Sequence, residues 1–491
     1  MALETELKLH IEPADLGRLQ RHPLLRELSI GRARTLQLHS IYFDTPELTL
    51  QQQRMALRLR RQGRRWLQTL KGGGQTSAGL HQRQEWEVPV SGDQLDLAAL
   101  QASGMPLAHD ISDRLRPVFV TIFKRQVRLL RFGDAEIELA LDSGEIRSGQ
   151  QAQTISELEL ELKSGAPLRL FELALLLLEI VPLRIEHTSK AEYGYRLFRT
   201  ARPEPRKARF PALSGTQPAA TALRQLAGIC LTHVQDNLPG ALLGQDTEFL
   251  HQVRVGLRRL RVVLAASAKL NADVHLQTLR DEVAQLCVAL GRLREWDVFV
   301  TQTLPALPSD LLPPAEAQRL ARLAQHRRQQ VASELRQRLA DRAFQRLFLQ
   351  LGAWLQAAPP QHGPSFADFS RRTLKKSARR VANAGKRLQV NDARQLHALR
   401  IACKKWRYAL EMFQWSGKKQ RSKEAEALSG LQSVLGQLND LVVAERLLDE
   451  LKWAAAKRVQ DGLLQQRQSL LPNFYQAWQS VQGKDGNVDQ A

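Results

Sequence analysis

The sequence predicts a multidomain α+β protein, with a β-rich first half and an all-α second half. Three observations carry this. Short runs that alternate apolar with charged residues recur through residues 1–200, separated by Gly-rich turns such as KGGG and LDSGE. Residues 201–491 instead hold long Leu/Ala/Arg/Gln stretches at helical period. Charge divides at the same place. Residues 1–200 carry 27 Lys+Arg against 25 Asp+Glu, a net of +2, and residues 201–491 carry 44 against 25, a net of +19.

The alternating runs are LETELKLHI, ALRLRRQG, RRWLQTLKGGG, HQRQEWEVPV, AEIELALDSGEI and ISELELELKSG, the pattern of an antiparallel sheet or closed barrel. Residues two apart in a strand share a face. Glu4, Glu6 and Lys8 therefore form one row, and Arg58 with Arg60 another, followed by Thr69 and Lys71. His81, Arg83, Glu85 and Glu87 make a third, Glu136, Glu138 and Asp142 a fourth, and Glu157, Glu159 and Glu161 a fifth. One such strand most often turns its charged side to water. Several in one domain admit the opposite arrangement, a closed barrel with charged rows inside and apolar rows covered by helices. A lumen of mixed charge suits a polyanion. Carboxylates hold Mg²⁺ or Mn²⁺, while Arg and Lys grip phosphate oxygens.

The 491 residues are 43% hydrophobic and 25% charged, which excludes disorder over most of the length. A net charge of +21 implies a densely anionic partner. Cys230, Cys287 and Cys403 are scattered and odd in number, so they build neither a disulfide framework nor a zinc site, and a reducing compartment is expected. The start MALETELK has no apolar targeting core. The stretch Leu168 to Leu183 is the most apolar, but Arg169, Glu172 and Glu179 interrupt it and it is too short to span a bilayer. It reads as a buried helix, and a cytoplasmic protein with no membrane partner is expected. The expected organisation is a first domain at 1–200, a Pro-rich linker at 201–218, a helical domain at 219–480 and a disordered tail at 481–491.

Glu4-Thr5-Glu6-Leu7-Lys8 resembles the N-terminal ExExK signature of CYTH domains, the triphosphate tunnel metalloenzymes. The resemblance runs across residues 1–200. It includes Arg58 and Arg60, Lys71 before glycines, Arg83 with Glu85 and Glu87, Arg125 in TIFKR, the EIELALDSGEI and SELELEL runs, and Lys190 in HTSKAEYGYRL. It implies an eight-stranded antiparallel tunnel that binds a linear triphosphate with a divalent metal, Mg²⁺ or Mn²⁺. By the same resemblance Glu4, Glu6, Glu159 and Glu161 hold metal, with Glu157 an open rival to its two neighbours. Lys8, Arg58, Arg60, Lys71, Arg83, Arg125 and Lys190 bind phosphate. Glu85, Glu87, Glu138 and Asp142 orient water or tune the basic groups. His81 and His187 are left as structural or surface residues.

The second half repeats itself. His251, Arg254, Arg258 and Arg261 fall at offsets 0, 3, 7 and 10, as do His397, Arg400, Lys404 and Arg407, with Arg259 and Lys405 matching at offset 8. The first four span about 80° of arc on a helix. Leu286-x3-Leu290-Gly291-x-Leu293 parallels Leu431-x3-Leu435-Gly436-x-Leu438, so two homologous helical bundles are expected. Lys375 and Arg379 lie in a further basic stretch, and Cys403 reads as core. HQVRVGLRRLR and LHALRIACKKWRYALE resemble the motif of the CHAD domain over about residues 219–480. That implies a basic helical module binding inorganic polyphosphate through these residues. REWD at 294–297 departs from the family's RD pair.

The paired resemblance implies a metal-dependent inorganic triphosphatase that cuts tripolyphosphate to pyrophosphate and phosphate, possessing a polyphosphate-binding second half and associating with polyphosphate granules. Thiamine triphosphatase and class IV adenylate cyclase are the alternatives within the fold. A non-catalytic polyphosphate adaptor is the alternative outside it. Nucleic acid is disfavoured, because Trp406 and Tyr408 are the only aromatics near the stripes.

Overall fold

The protein is described here by a computed structural model. It describes residues 2–482 except 103, 105–108, 201–202, 245, 271–273, 309, 361, 387, 391, 416–421 and 454–455. Most of the expected tail, 483–491, and the first two linker residues lie outside the described residues. The chain forms two compact units. The first is Met1–Glu204 with Ala340–Ala357, and the second is Pro205–Leu339 with Ala358–Ala491.

The first unit is an antiparallel barrel. Its strands are β1 (Ala2–Ile11), β2 (Arg34–Asp44), β3 (Ala56–Gln62), β4 (Arg65–Ser77), β5 (Leu80–Val90), β6 (Arg116–Phe132), β7 (Ala135–Ser148), β8 (Gln151–Ser164) and β9 (Leu183–Ile185). Their order is β5-β4-β3-β2-β6-β7-β8-β1-β9, and β5 pairs with β1, so eight strands close while β9 extends along β1. Every expected strand is present. Two others, β2 and β6, escape a search for charged alternation, because Leu38, Ser40, Tyr42, Phe119, Thr121 and Phe123 on their inner faces are uncharged.

Period 2 sends the two residue classes to opposite faces. Leu7, Leu9, Leu57, Leu59, Leu70, Ile137, Leu139, Leu158 and Leu160 point outward, yet they are buried. Helices cover them. The small helices α1 (Pro13–Arg21), α2 (Pro23–Glu27), α3 (Thr49–Gln52) and α4 (Leu97–Ala102) lie at the strand ends. The apolar stretch forms α5 (Leu168–Ile180) and buries Leu170, Phe171, Leu173, Ala174, Leu177, Leu178 and Ile180. Helix α6 (Lys190–Arg199) starts from a full capping box, in which Ser189 and Glu192 each satisfy the other's backbone N–H. Tyr195 of α6 packs into an inner cluster with Leu38, Tyr42, Phe119, Phe123, Ile146 and Ile155.

The second unit is all helix. It comprises α7 (Ala219–Leu243), α8 (Thr247–Leu270), α9 (Val274–Val298) and α10 (Pro314–Ala340), then α12 (Phe366–Lys386), α13 (Ala393–Met412), α14 (Ser422–Leu451), α15 (Ala456–Ser469) and α16 (Leu471–Gln482). The basic stripes fall on α8 and α13, and the matching Leu/Gly runs on α9 and α14. Leu286, Leu290, Leu293, Leu431, Leu435 and Leu438 are all buried, as a repeated core requires. Among the described residues, no helix is long and apolar enough to cross a membrane.

Between the repeats lies α11 (Arg342–Gln356), and it belongs to the first unit. Phe344, Leu347, Phe348, Leu351 and Trp354 are buried, and Gln345 Oε1 accepts from Ile185 N of β9 at 3.3 Å. Gly352 lies flush on the Phe171 ring of α5, where a Cβ would collide. Arg346 donates to Glu179 at 2.6 Å. The apolar back of the barrel is thus completed by residues far along the chain. Phe348→Ala should destabilise the first unit by about 3–5 kcal/mol through lost burial and a cavity. Equilibrium denaturation followed through the β signal measures it, and an unchanged midpoint would mean α11 is dispensable to the barrel.

Candidate functional site

The inward rows meet across the barrel. Arg125 of β6 forms a bidentate pair with Asp142 of β7, at 2.7 and 2.6 Å, and also reaches Glu159 of β8. Lys8 of β1 donates to Glu159 at 2.5 Å and lies 3.0 Å from Glu6. Lys190, the first residue of α6, touches Glu157 at 2.5 Å, Glu159 at 2.8 Å and Asp142 at 2.8 Å. Lys71 of β4 reaches past β5 to Glu4 of β1 at 2.5 Å and lies 3.3 Å from Glu85. Arg58 of β3 reaches Glu85 of β5 at 3.7 Å. Contacts between non-neighbouring strands run through the lumen, so the charged rows point inward rather than to water.

Burial makes these pairs strong. Burial alone would push the Glu159 carboxyl up, but Lys190, Lys8 and Arg125 hold it well below the usual carboxylate range. Asp142 is likewise lowered, since Arg125 and Lys190 outweigh its burial. Lys8 and Lys190 are raised, because their carboxylates outweigh the burial that would lower them. Arg60 is different. Burial, then Arg58 and Arg125, lower its pKa to about 9. It has no carboxylate ion pair among the described residues, and its Nε donates only to Ser40 Oγ at 3.2 Å. Tyr42 has a lowered pKa, as Arg58 and Arg60 outweigh its burial.

Two carboxylate groups differ in their compensation. The oxygens of Asp142, Glu157 and Glu159 lie within 4.8 Å of one another, a spacing a metal ion can use, but Lys8, Lys190 and Arg125 already meet their charge. The second group gathers through register. Glu6 opposes Glu161 across β1/β8, and Glu138 opposes Glu161 across β7/β8. Burial raises the Glu161 pKa, and Glu4 and Glu138 add to it despite Lys163 at 2.6 Å. Lys163 and Lys8 are the cations beside this group, at 2.6 Å from Glu161 and 3.0 Å from Glu6, and its carboxylate oxygens are the donor type a hard divalent cation takes. Glu87 instead accepts from Thr69 Oγ1 at 3.1 Å. His81 is buried and its pKa is well below the ordinary value, while burial pushes His187 down to about 3, so burial favours the neutral imidazole in both.

In the second unit, the two stripes converge. Arg254 of α8 lies within electrostatic reach of Arg294 of α9, Arg254 and Arg258 both lie within reach of Lys404 of α13, and Arg258 also of Arg400. Burial, then Arg258 and Arg294, lower Arg254 to about 9. Burial, then Arg258, Arg400 and Arg254, lower Lys404 to about 6. His251 is lowered by burial, and the same arginines add to the effect. Lys405 is lowered by burial and by Arg380 and Arg261, so Arg380 joins the basic surface where Lys375 and Arg379 had been expected. Lys375 and Arg379 are themselves exposed on α12. Arg259 and Arg407 leave the cluster, since both turn to Glu411 and lie over the Tyr408 ring. His397 is exposed and bonds Asn439 at 3.0 Å. In the REWD segment, Glu295 pairs with Arg446, while buried Asp297 accepts from Arg328 at 2.6 Å. Cys403 is buried with its thiol pushed up to about 12, a core residue.

Residues 2–195 match the CYTH domain family, and residues 225–449 match the CHAD domain family. An inorganic triphosphatase of Haemophilus influenzae is 35% identical over 197 residues, which cover 40% of this chain and 55% of that protein. The chain therefore spans about half the length of the curated relative it matches. A CHAD domain crystal structure from the plant Ricinus communis is 32% identical, with a TM-score of 0.50, covering 59% of this chain and 97% of that one.

The lumenal pairs set a pH window for the barrel. The depressed carboxylates contribute above their unfolded pKa of about 4, and this is lost as pH falls through their lower folded values. The raised lysines contribute below about 10.4, and this is lost as pH rises through their higher folded values. Lys190→Met leaves buried carboxylates short of a partner. It should cost about 3–5 kcal/mol and move acid unfolding to higher pH. Denaturation curves across the acid range check this, and an unmoved acid midpoint would show that Lys190 is not the compensating charge.

Proposed function

We propose that this chain, which carries a CYTH domain followed by a CHAD domain, is a metal-dependent inorganic triphosphatase with a polyphosphate-binding second unit. The reaction is tripolyphosphate plus water to pyrophosphate plus phosphate. The observation that carries the reading is the lumen itself. Cations from β1, β3, β4, β6 and α6 face carboxylates from β1, β5, β7 and β8 inside one closed barrel. The triphosphatase relative supports the choice of substrate.

On this reading, Lys8, Arg58, Arg60, Lys71, Arg83, Arg125 and Lys190 bind the phosphate oxygens. Arg60 has no carboxylate to leave, so it offers the anion a charge at no exchange cost. Lys8, Lys71, Arg125 and Lys190 exchange carboxylate partners for phosphate oxygens, which fixes the chain within the lumen. Glu4, Glu6, Glu159 and Glu161 hold Mg²⁺ or Mn²⁺, with Glu161 the member most in need of positive charge. A bound divalent ion supplies neutralisation of the charge that moves onto the leaving phosphate. Glu85, Glu87, Glu138 and Asp142 orient water and hold the basic side chains. Closure around the substrate excludes bulk water and strengthens each of these interactions.

The second unit works by a different balance. Its stripe cations crowd each other, which suits a long polyanion over a small neutral ligand. Both units then recognise one polymer class.

Phosphate release from tripolyphosphate, ATP, thiamine triphosphate and long polyphosphate, each with Mg²⁺ and then Mn²⁺, tests the enzyme reading. Selective release from tripolyphosphate is expected. Polyphosphate binding with no release from any substrate would make the chain a non-catalytic adaptor. Glu6→Gln should lower turnover by about 100-fold while the fold is retained. Near-normal turnover at saturating metal would remove Glu6 from the metal site. Arg254→Glu with Arg400→Glu should weaken long-chain polyphosphate binding and flatten its salt dependence. Unchanged titrations would place the polymer elsewhere.

A further inference from the structure

Residues 205–218 precede the first helix of the second unit and belong to that unit. They form no helix, yet they are docked along their length. Arg206 N donates to Asn237 Oδ1 of α7 at 2.9 Å, and Asn237 Nδ2 donates back to Arg206 O at 2.9 Å. Asn237 is fully buried. The Arg259 guanidinium of α8 lies over the Phe210 ring, 5.2 Å from its centroid. Leu213 forms a parallel bridge with Trp415, just past α13, and Leu213 N donates to Gln414 O at 3.3 Å. Gly215 O and Gln217 O then accept from Ala367 N at 3.0 Å and Phe366 N at 2.9 Å, which satisfies donors at the start of α12. One segment thus fastens α7 and α8 of the first repeat to α12 and α13 of the second.

Under Phe210 lies an ion pair that crosses between the repeats. Arg259 Nε and Nη2 both donate to Glu411 Oε2 of α13, at 3.1 and 2.6 Å. The Arg259 side chain is only 13% exposed, with Tyr408 on it as a second ring. The pair occurs on one side of the repeat alone. Arg259 stands at offset 8 of the first stripe and Glu411 at offset 14 of the second. The equivalent positions in the opposite copies are Lys405 and Ala265, which cannot form a salt bridge. Its location suits the control of helix register. Arg258 immediately precedes Arg259 on α8. Lys404 lies seven residues before Glu411, so the two share a face of α13 to within about 20°. The stripe cations on α8 and α13 repel one another, and a bond between these helices opposes that repulsion.

We propose that Arg259 and Glu411, clasped by residues 205–218, are positioning residues for the polyanion site. They hold α8 and α13 in the register at which Arg254, Arg258, Arg400 and Lys404 converge, and Arg259 itself does not touch the polymer. The segment that reads as a linker is then a working part of the second unit. This inference rests on the proposed polyphosphate-binding second unit and names what keeps its site in shape.

Titration of the full chain with long-chain polyphosphate over a salt series separates the two roles open to Arg259. If Arg259 bound phosphate, Glu411→Ala would free a cation and tighten binding. A clasp requires the opposite. Glu411→Ala and Phe210→Ala should each weaken binding by about 10-fold and lower its slope on log salt, since fewer cations then meet the polymer together. Phe210→Tyr, which keeps a ring over Arg259, should bind as wild type. Melting curves establish that the helical unit is folded, and destabilisation alone would leave the salt slope unchanged. Arg206, Lys207 and Arg209 are exposed, so tryptic cleavage after them reads release of the segment and should quicken in both weakened variants. Affinity tighter than wild type, or within about two-fold of it, in folded Glu411→Ala or Phe210→Ala would overturn the proposal. A wild-type chain that binds no polyphosphate would defeat the polyphosphate reading instead. The cleavage rates would still decide whether Arg259 and Glu411 hold the segment, and unchanged rates would overturn the clasp on their own.

Discussion

Charge enclosed in a closed barrel has to be met by charge from inside that barrel, and most of the first unit follows from this constraint. Glu159 is the node. It receives Lys8 from the neighbouring strand β1, Arg125 from β6 beyond β7, and Lys190 from α6. Each partner fixes a piece of architecture. Lys8 requires β1 to pair with β8 in the observed register, Arg125 requires β6 to curve round the lumen, and Lys190 requires α6 to begin at its mouth. The Ser189–Glu192 capping box holds that first turn where Lys190 can reach inward. Buried ions that lack one partner are strongly destabilising, so the network specifies the arrangement more than it adds net stability.

Both faces of the strands are therefore buried, for different reasons. The inner face is buried around paired charge, and the outer face is buried under α5 and the distant helix α11. Outer burial stabilises by removing apolar surface from water, while inner burial sets up an electrostatic environment. The two units also treat charge in contrasting ways. In the barrel, most cations are paired with carboxylates. In the helical unit, burial and the neighbouring Arg258 lower the proton affinity of Arg254, Arg400 and Lys404.

Particular residues show how far the candidate sites were legible in the sequence. The rows Glu4/Glu6/Lys8, Arg58/Arg60 and Glu157/Glu159/Glu161 announce themselves, because alternation of charge with leucine has a period of two wherever the strand goes. Ser40, Tyr42 and Thr121 do not, because uncharged inner residues look like an ordinary β stretch. Spacing offered one hint, since Thr121 lies four residues before Arg125 and so shares its face. Arg259 and Arg407 were grouped with the stripes by repeat position, yet both face Glu411. For Arg259, one residue past Arg258 is about 100° further round the helix, and that rotation carries it to a different neighbour.

Local pattern alone determined which segments are strand or helix, which residues share a face and that the helical half repeats, because each of these depends on residues close in sequence. Only the tertiary structure decided that the charged rows face a lumen instead of water. Period 2 is identical in both cases, and the choice depends on β1 closing onto β5, a pairing across some 80 residues. The same holds for α11, whose apolar stripe specifies a buried helix but not which apolar surface it meets. Closure and docking are set by partners distant in the chain, and no local period encodes them.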